Sequence, residues 1–193
     1  MAQDQLQPVP VRDGPAGNAG GRRRALRQFL LAALVLLLLL GAVYYFVDRA
    51  TAIPPNYSFV EDGLYVGGSV DKPPPGTKAV LNLCEFRDSY KVDVEEWKKI
   101  RDAAPAPSLD WLRDRVAFIE AQRGADRTVY VHCLAGVSRG PMVTIAYLMR
   151  RHGWSRDKAL AFVRDKRPEI RPNPAFMELL LEWEKAQSKP PAR

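Results

Sequence analysis

The sequence has few of the residues from which disulfide frameworks and metal sites are built. Among its 193 residues there are only two cysteines, Cys84 and Cys133, and only two histidines, His132 and His152. Two cysteines are too few for a disulfide framework, and no cysteine–histidine spacing typical of a zinc site occurs. A disulfide-stapled scaffold is therefore excluded, and a lone reactive thiol is the hypothesis to test.

Signals for nucleic-acid binding are also missing. The net charge is +7, but there is no helix-turn-helix motif and no aromatic-rich sheet motif. Much of the basic excess lies in residues 1–47 and 139–171. Such an excess is typical of solvated helix surfaces, and it could also favour acidic substrates or anionic lipid. We predict no nucleic-acid partner.

Charge is absent from the whole run between Phe29 and Val47. A helix of this length can cross a bilayer, and Tyr44 and Tyr45 lie near its end, where aromatic rings favour the interface. The run therefore predicts a transmembrane helix over 29–47 and a single-pass membrane protein. A cleaved signal peptide is the alternative, because Ala50-Thr51-Ala52 resembles a cleavage site.

The arginines around this run bear on its orientation. Arg22, Arg23, Arg24 and Arg27 flank its start, whereas Arg49 alone flanks its end. By the positive-inside tendency this would keep the N-terminal tail cytoplasmic and send the folded domain across the membrane. A mechanism that needs a reduced thiol fits poorly with that side of the membrane. The side on which the domain lies is therefore left open.

Composition divides the chain into five segments. The N-terminal residues are rich in Gly, Pro, Gln and Asn, which is typical of disorder, and prolines after the apolar run disfavour a helix. The segments are a disordered basic tail (1–28), a transmembrane helix (29–47), a linker (48–56), a folded domain (57–187) and a C-terminal tail (188–193).

Strand-like and helix-like patterns alternate within the folded domain. Residues 92–100 are interpreted as one or two helical turns, with Ser108 and Asn173 as caps of later helices. Strands are predicted at 64–68, 79–86 and 128–133, and helices at 108–124, 140–153, 155–167 and 173–186. The alternation predicts an α/β fold with a central sheet packed on both faces.

The stretch VHCLAGVSRG, residues 131–140, joins a predicted strand to a predicted helix. Gly136 permits a sharp turn, so the backbone amides of the loop can point into one concavity. The helix adds its free N–H groups and positive dipole end, and Arg139 adds a planar fork that can hold two phosphate oxygens. The residues predicted to bind phosphate are Leu134, Ala135, Gly136, Val137, Ser138 and Arg139.

The same positive field favours the thiolate form of Cys133, which is the form that attacks. We expect in-line displacement at a bound phosphoryl group, giving a phosphocysteine that water then hydrolyses. His132 is expected to point away from Cys133 and to order the loop by hydrogen bonding. The alternative for Cys133 is a small buried apolar residue.

With these residues the chain resembles the dual-specificity branch of the cysteine-dependent protein tyrosine phosphatases. The signature His-Cys-x-x-Gly-x-x-Arg is met by His132, Cys133, Gly136 and Arg139, and the resemblance extends over residues 58 to 184. It implies a phosphatase-like α/β fold with a central mixed sheet flanked by helices. It also implies hydrolysis of phosphomonoesters on phosphorylated proteins, with no metal and no cofactor.

The resemblance further implies an aspartate that protonates the leaving oxygen and then activates water. Asp102, in KKIRDAAPAPSLDWL upstream of the cysteine, fits the family's position. Asp93 and Asp110 are rivals, although Asp110 stands in the first turn of a helix, where a carboxylate has a structural reason.

The chain departs from the family at Gly140, where a serine or threonine usually follows the arginine and stabilises the departing sulfur. Ser138 is not expected to replace that hydroxyl, so slow hydrolysis of the phosphocysteine is the hypothesis. Cys84 is expected in the core, or in a disulfide with Cys133 under oxidation, as in some relatives.

Three functions remain open on these grounds. The first is a phosphatase of phosphoproteins, because the uncharged loop residues resemble those of phosphoprotein enzymes. The second is a phospholipid phosphatase, because a nearby membrane favours a lipid substrate. The third is a non-catalytic phosphate-binding module at a membrane, because Gly140 is unusual.

Overall fold

The computed structural model describes residues 19–51 and 55–188, and the chain divides into two units, Met1–Ile53 and Pro54–Arg193. The described residues of the first unit form a helix, α1 (Ala19–Thr51). Within it, Leu26–Val47 has a mean hydropathy of 2.7, and none of its most apolar stretch is buried. This helix is long and apolar enough to cross a membrane.

The predicted disordered tail is wrong for residues 19–28, because α1 begins at Ala19. Arginine, alanine, leucine and glutamine are good helix formers, and extending an existing helix needs no new nucleus. The helix also takes the first residues of the predicted linker, up to Thr51. The predicted tails at 1–18 and 189–193 lie outside the described residues.

The second unit is built on a five-stranded sheet. Its strands are β1 (Tyr57–Glu61), β2 (Leu64–Gly67), β3 (Thr77–Asn82), β4 (Val94–Trp97) and β5 (Thr128–His132). Its helices are α2 (Leu109–Gly124), α3 (Arg139–His152), α4 (Arg156–Lys166) and α5 (Pro174–Ser188). The strand order is β1-β2-β5-β3-β4; β1 runs antiparallel to β2, and the other pairs are parallel. The predicted α/β fold with a central mixed sheet flanked by helices is confirmed.

Alternate strand residues share one core with the helices. Val129 and Val131 of β5 pack with the buried residues of α2 to α5, whereas Tyr130 and His132 point to the opposite face. The loop after β3 covers that opposite face through Asp88. The sheet is therefore packed on both faces, with helices on one and a polar loop on the other.

The predicted helix caps are confirmed. Ser108 Oγ accepts a hydrogen bond from Trp111 N at 3.1 Å, and Asn173 Oδ1 accepts one from Phe176 N at 3.0 Å. Each cap satisfies a backbone donor that has no partner within the helix. The local sequence was therefore sufficient to place the starts of these two helices.

The prediction of helical turns at 92–100 is wrong, because Val94–Trp97 forms β4 and pairs in parallel with β3. The free edge of β3 offers backbone hydrogen-bond partners to these four residues. A single helical turn of four residues could not form as many backbone hydrogen bonds. The predicted strand 79–86 is also shortened, since β3 ends at Asn82. From there the chain enters the loop that covers the sheet, and the carboxyl ends of β3 and β5 are left side by side.

Candidate active site

The loop of residues 133–138 joins the carboxyl end of β5 to the first residue of α3. Gly136 has φ +70°, and a Cβ there would lie 2.3 Å from the carbonyl carbon of Gly67. No side chain fits so close to backbone, so glycine is required. Cys133 N donates to Gly67 O at 3.3 Å, and Ser69 N donates to Leu134 O at 2.9 Å. The end of β2 thus supports the loop from outside.

Arg139 is held by the loops that follow β3 and β4. Its side chain is almost fully buried, and Nη1 donates to Glu85 Oε1 at 2.7 Å and to the carbonyl oxygens of Ile100 and Leu83 at 3.1 and 3.2 Å. Among the described residues, the buried Nε has no hydrogen-bond partner. A fixed guanidinium with an unpaired donor is suited to an anion.

The two cysteines have different surroundings, and no disulfide joins them. Cys133 is 2% exposed and Cys84 is fully buried. Burial, and then the charge of Cys133, raise the pKa of the Cys84 thiol to about 12, while Arg139 acts in the opposite direction. Cys84 therefore stays protonated at neutral pH, which leaves it a poor nucleophile.

His132 is fully buried behind the loop. Its Nε2 lies 2.9 Å from Asp88 Oδ2, its Nδ1 lies 3.7 Å from Cys84 Sγ, and its ring stacks on Tyr130. Asp88 also accepts a hydrogen bond from Asn82 Nδ2 at 3.1 Å. Both ring nitrogens thus face groups other than Cys133, and the imidazole ties β5 to the loop after β3.

Of the three candidate aspartates, only Asp102 lies at the loop of residues 133–138 and the start of α3. Ser138 Oγ donates to Asp102 Oδ1 at 2.6 Å, and the second oxygen, Oδ2, lies 3.9 Å from Arg139 Nε. Asp93 and Asp110 are exposed and form ion pairs elsewhere, with Lys78 and Arg113.

Asn173 completes the arrangement around Asp102. Its Nδ2 donates to Asp102 Oδ1 at 2.8 Å, and its backbone N–H donates to Ser138 Oγ at 3.1 Å. The sequence identified Asn173 only as a helix cap, which it also is. One asparagine therefore fixes both the start of α5 and the carboxylate beside the loop.

Arg167 is the second residue that sequence reasoning missed. Its side chain is 3% exposed, and its Nε donates to Gly136 O at 2.8 Å, while Nη2 donates to Ala135 O at 3.0 Å and Asn56 Oδ1 at 2.7 Å. Two loop carbonyls are thus held on the outer side, which favours amides turned inward. No local signal separates Arg167 from the solvated basic residues of α4.

Gly140 lies in the first turn of α3, as the sequence indicated. A Cβ there would lie 3.4 Å from the Cα and carbonyl carbon of His132 and 3.5 Å from Cys133 N. These are ordinary contact distances, so the fold leaves room for a small side chain at this position.

A strand, a glycine-bent loop and a helix N-terminus that together enclose a thiol and a fixed guanidinium define the class of cysteine-dependent phosphatase domains. Residues 76–186 match the family model described as dual specificity phosphatase, catalytic domain. The chain therefore belongs to the dual specificity phosphatase family.

Relatives and solved structures agree with this family. Human dual specificity protein phosphatase 16 is 44% identical over 86 residues, which are 45% of this chain and 13% of that protein. Drosophila melanogaster Mpk3 is 52% identical over 71 residues, 37% of this chain and 17% of that protein. The chain thus spans less than a fifth of these two relatives. The crystal structure of human DUSP28 superposes with a TM-score of 0.65 at 27% identity, covering 71% of this chain and 98% of that one.

Proposed function

We propose that this chain is a phosphatase that hydrolyses phosphomonoesters on proteins through a phosphocysteine. The observation that carries the proposal is the presence of Cys133 and Arg139 at the two ends of a loop that Arg167 supports, with a buried Arg139 Nε that has no hydrogen-bond partner among the described residues. The uncharged side chains at 134, 135, 137 and 138 favour phosphoproteins over polyanionic lipids. The family and its named relatives support the same substrate class.

In the first step Arg139 and the loop amides hold three phosphate oxygens while Cys133 Sγ attacks phosphorus. The S–P bond forms as the bond to the leaving oxygen breaks, and Asp102 gives that oxygen a proton. Asp102 Oδ1 already accepts two hydrogen bonds. Oδ2 is therefore the atom assigned to carry the proton.

In the second step water attacks phosphorus and Asp102, now a carboxylate, takes its proton. The S–P bond breaks, which releases inorganic phosphate and restores the thiolate. Cys133 Sγ leaves here without a hydroxyl from position 140, because that residue is glycine. Ser138 does not take over that role in our proposal, since its hydroxyl donates to Asp102.

We further propose that residues 29–47 anchor the chain in a membrane as a single-pass helix. The exposed apolar helix of the first unit supports it. After alkaline carbonate washing, the protein is expected to stay in the membrane pellet. Its mass should be that of the uncleaved chain. Release into the supernatant, or a mass lacking the first 52 residues, would contradict the anchor and favour a cleaved signal peptide.

Phosphate release from three substrate classes tests the function. The detergent-purified chain is expected to hydrolyse phosphotyrosine and phosphothreonine peptides faster than phosphoinositides in mixed micelles, and orthovanadate should inhibit it. Faster hydrolysis of phosphoinositides would show that the substrate is a phospholipid and not a phosphoprotein. Tight phosphopeptide binding without phosphate release would show that the chain docks phosphorylated partners without catalysis.

Gly140→Ser is expected to speed hydrolysis of the phosphocysteine about tenfold or more, the size of a hydrogen bond to a charged group. The physical reason is that a hydroxyl beside the departing sulfur stabilises its negative charge. Rapid-quench kinetics with an aryl phosphate should show a burst of the aryl product in the native chain. The burst should shrink in the serine variant.

Gly140→Ala is the matched control, because it adds the same Cβ without the hydroxyl. Both variants should fold, since the Cβ meets only ordinary contacts. Equal rates of phosphocysteine hydrolysis in the native, alanine and serine proteins would contradict the role assigned to the missing hydroxyl.

A further inference from the structure

A cleft of about 720 Å³ opens directly beside the proposed catalytic residues. Asp102 and Ser138 line it, together with the segment between α4 and α5 and the start of α5. A peptide whose phosphorylated residue entered the loop would have to place its neighbouring residues nearby. The cleft therefore offers a space for a residue that flanks the phosphorylated one.

The segment between α4 and α5 is fixed to the phosphate loop by two hydrogen bonds that its backbone N–H groups donate. Arg171 N donates to Val137 O at 2.7 Å, and Asn173 N donates to Ser138 Oγ at 3.1 Å. A residue bound in the cleft would therefore be held in register with the phosphate.

The surface of this cleft combines apolar packing with one available cation. Val137, Pro172, Pro174 and Met177 supply apolar atoms. Arg171 is exposed and also lines the cleft. Within the described residues, its guanidinium has no ion pair and no hydrogen bond, and its bond to Val137 uses the backbone alone.

The two carboxylates that line the cleft are engaged by other residues. Glu169 Oε1 lies 3.2 Å from Arg167 Nη1. Asp102 accepts hydrogen bonds from Ser138 and Asn173. Arg171 is therefore the lining group left to meet a charge from outside, and that charge must be negative.

We propose that this cleft is a subsite for the residue next to the phosphorylated residue, and that Arg171 selects a glutamate there. The inference rests on the proposed function and specifies its substrate class. A glutamate suits the cleft because its methylene groups can pack on Met177 and the prolines while its carboxylate reaches the Arg171 guanidinium. The source of the negative charge is taken to be a peptide, since the family's named relatives are protein phosphatases.

Matched phosphotyrosine peptides test the subsite, with glutamate or alanine on either side of the phosphotyrosine. For the full chain, the ratio of kcat/KM for the glutamate peptide to that for the alanine peptide should be about three to five on one side, the size of an exposed ion pair. The effect should lie in KM, and the ratio should fall as salt is added. The ratio compares two substrates of one protein, so partial misfolding does not change it.

Arg171→Ala should bring the ratio to about one, and Arg171→Glu should invert it, because like charges then meet. The backbone bond to Val137 remains possible in both variants. Arg164→Glu is the control of equal charge change, because Arg164 is an exposed residue of α4 that does not line the cleft. It should keep the native ratio.

An unchanged ratio in Arg171→Glu, or equal turnover of the two peptides by the native chain, would overturn the subsite and leave the phosphatase proposal intact. A dependence on Arg171 seen only with phosphoinositides would overturn the peptide as occupant. No turnover of any phosphopeptide by the native chain would overturn the proposed function, and the subsite with it.

Discussion

Replacing Cys133 by serine is expected to lower phosphate release by about 10⁴-fold or more, as loss of a covalent nucleophile does elsewhere. A serine hydroxyl is a far weaker nucleophile than a cysteine sulfur, whose thiolate is the attacking form. The substitution changes one atom in a residue that is 2% exposed. Steady-state release of phosphate from an aryl phosphate and from a phosphopeptide is the measurement.

Phosphate binding should survive in this variant. The Arg139 side chain is fixed by Glu85, Leu83 and Ile100, none of which depends on the thiol. Cys133→Ser should therefore bind the phosphopeptide without hydrolysing it, which isothermal titration would detect. That combination separates loss of the nucleophile from loss of the fold.

The other cysteine supplies the control. Cys84→Ser makes the same chemical change at a thiol that burial keeps protonated, with a pKa of about 12. It should retain turnover within a few-fold of the native chain. Undiminished hydrolysis by Cys133→Ser, or loss of hydrolysis in Cys84→Ser with Cys133→Ser still active, would contradict the nucleophile assignment.

Asp102→Asn is expected to lower kcat by about 10²- to 10⁴-fold, the usual range for loss of a general acid and base. An asparagine can keep both hydrogen bonds that Oδ1 accepts from Ser138 and Asn173. It cannot give a proton to the leaving oxygen. The loss should be larger for phosphotyrosine or phosphothreonine than for an aryl phosphate whose leaving group needs little protonation.

Asp93→Asn and Asp110→Asn are the matched controls, because each removes one carboxylate of the same type. Both residues are exposed, and their ion pairs with Lys78 and Arg113 lie outside the site. Surface pairs of this kind contribute little, so turnover should stay near native. A large loss in either control, with near-native turnover in Asp102→Asn, would reassign the general acid.

Local sequence signals predicted most of the helices because each helix carries its own start and stop. Ser108 and Asn173 cap helices through bonds to residues three positions later, and Gly153 ends α3 in the left-handed conformation. β1 and β4 were not predicted as strands. Both lie at the edges of the sheet, where the partner strand decides the conformation as much as the residues themselves.

The chemistry of the loop could be predicted because its members are close in sequence. His132, Cys133, Gly136 and Arg139 have a spacing that can be read directly. Arg167 and Asn173 could not be assigned to the loop, because their partners lie far along the chain. Only folding brings α4, α5 and the loop before α2 together.

The amino-acid sequence by itself determined a glycine-bent loop with a thiol, the helices that follow it and an apolar segment long enough for a bilayer, since each depends on neighbours within a few residues. The tertiary structure decided which aspartate reaches the loop, which arginine supports its carbonyls and which arginine is left free beside the cleft. Those choices depend on contacts between distant segments. The reason is physical: a hydrogen bond across the fold exists only once the sheet and helices have placed both partners within reach.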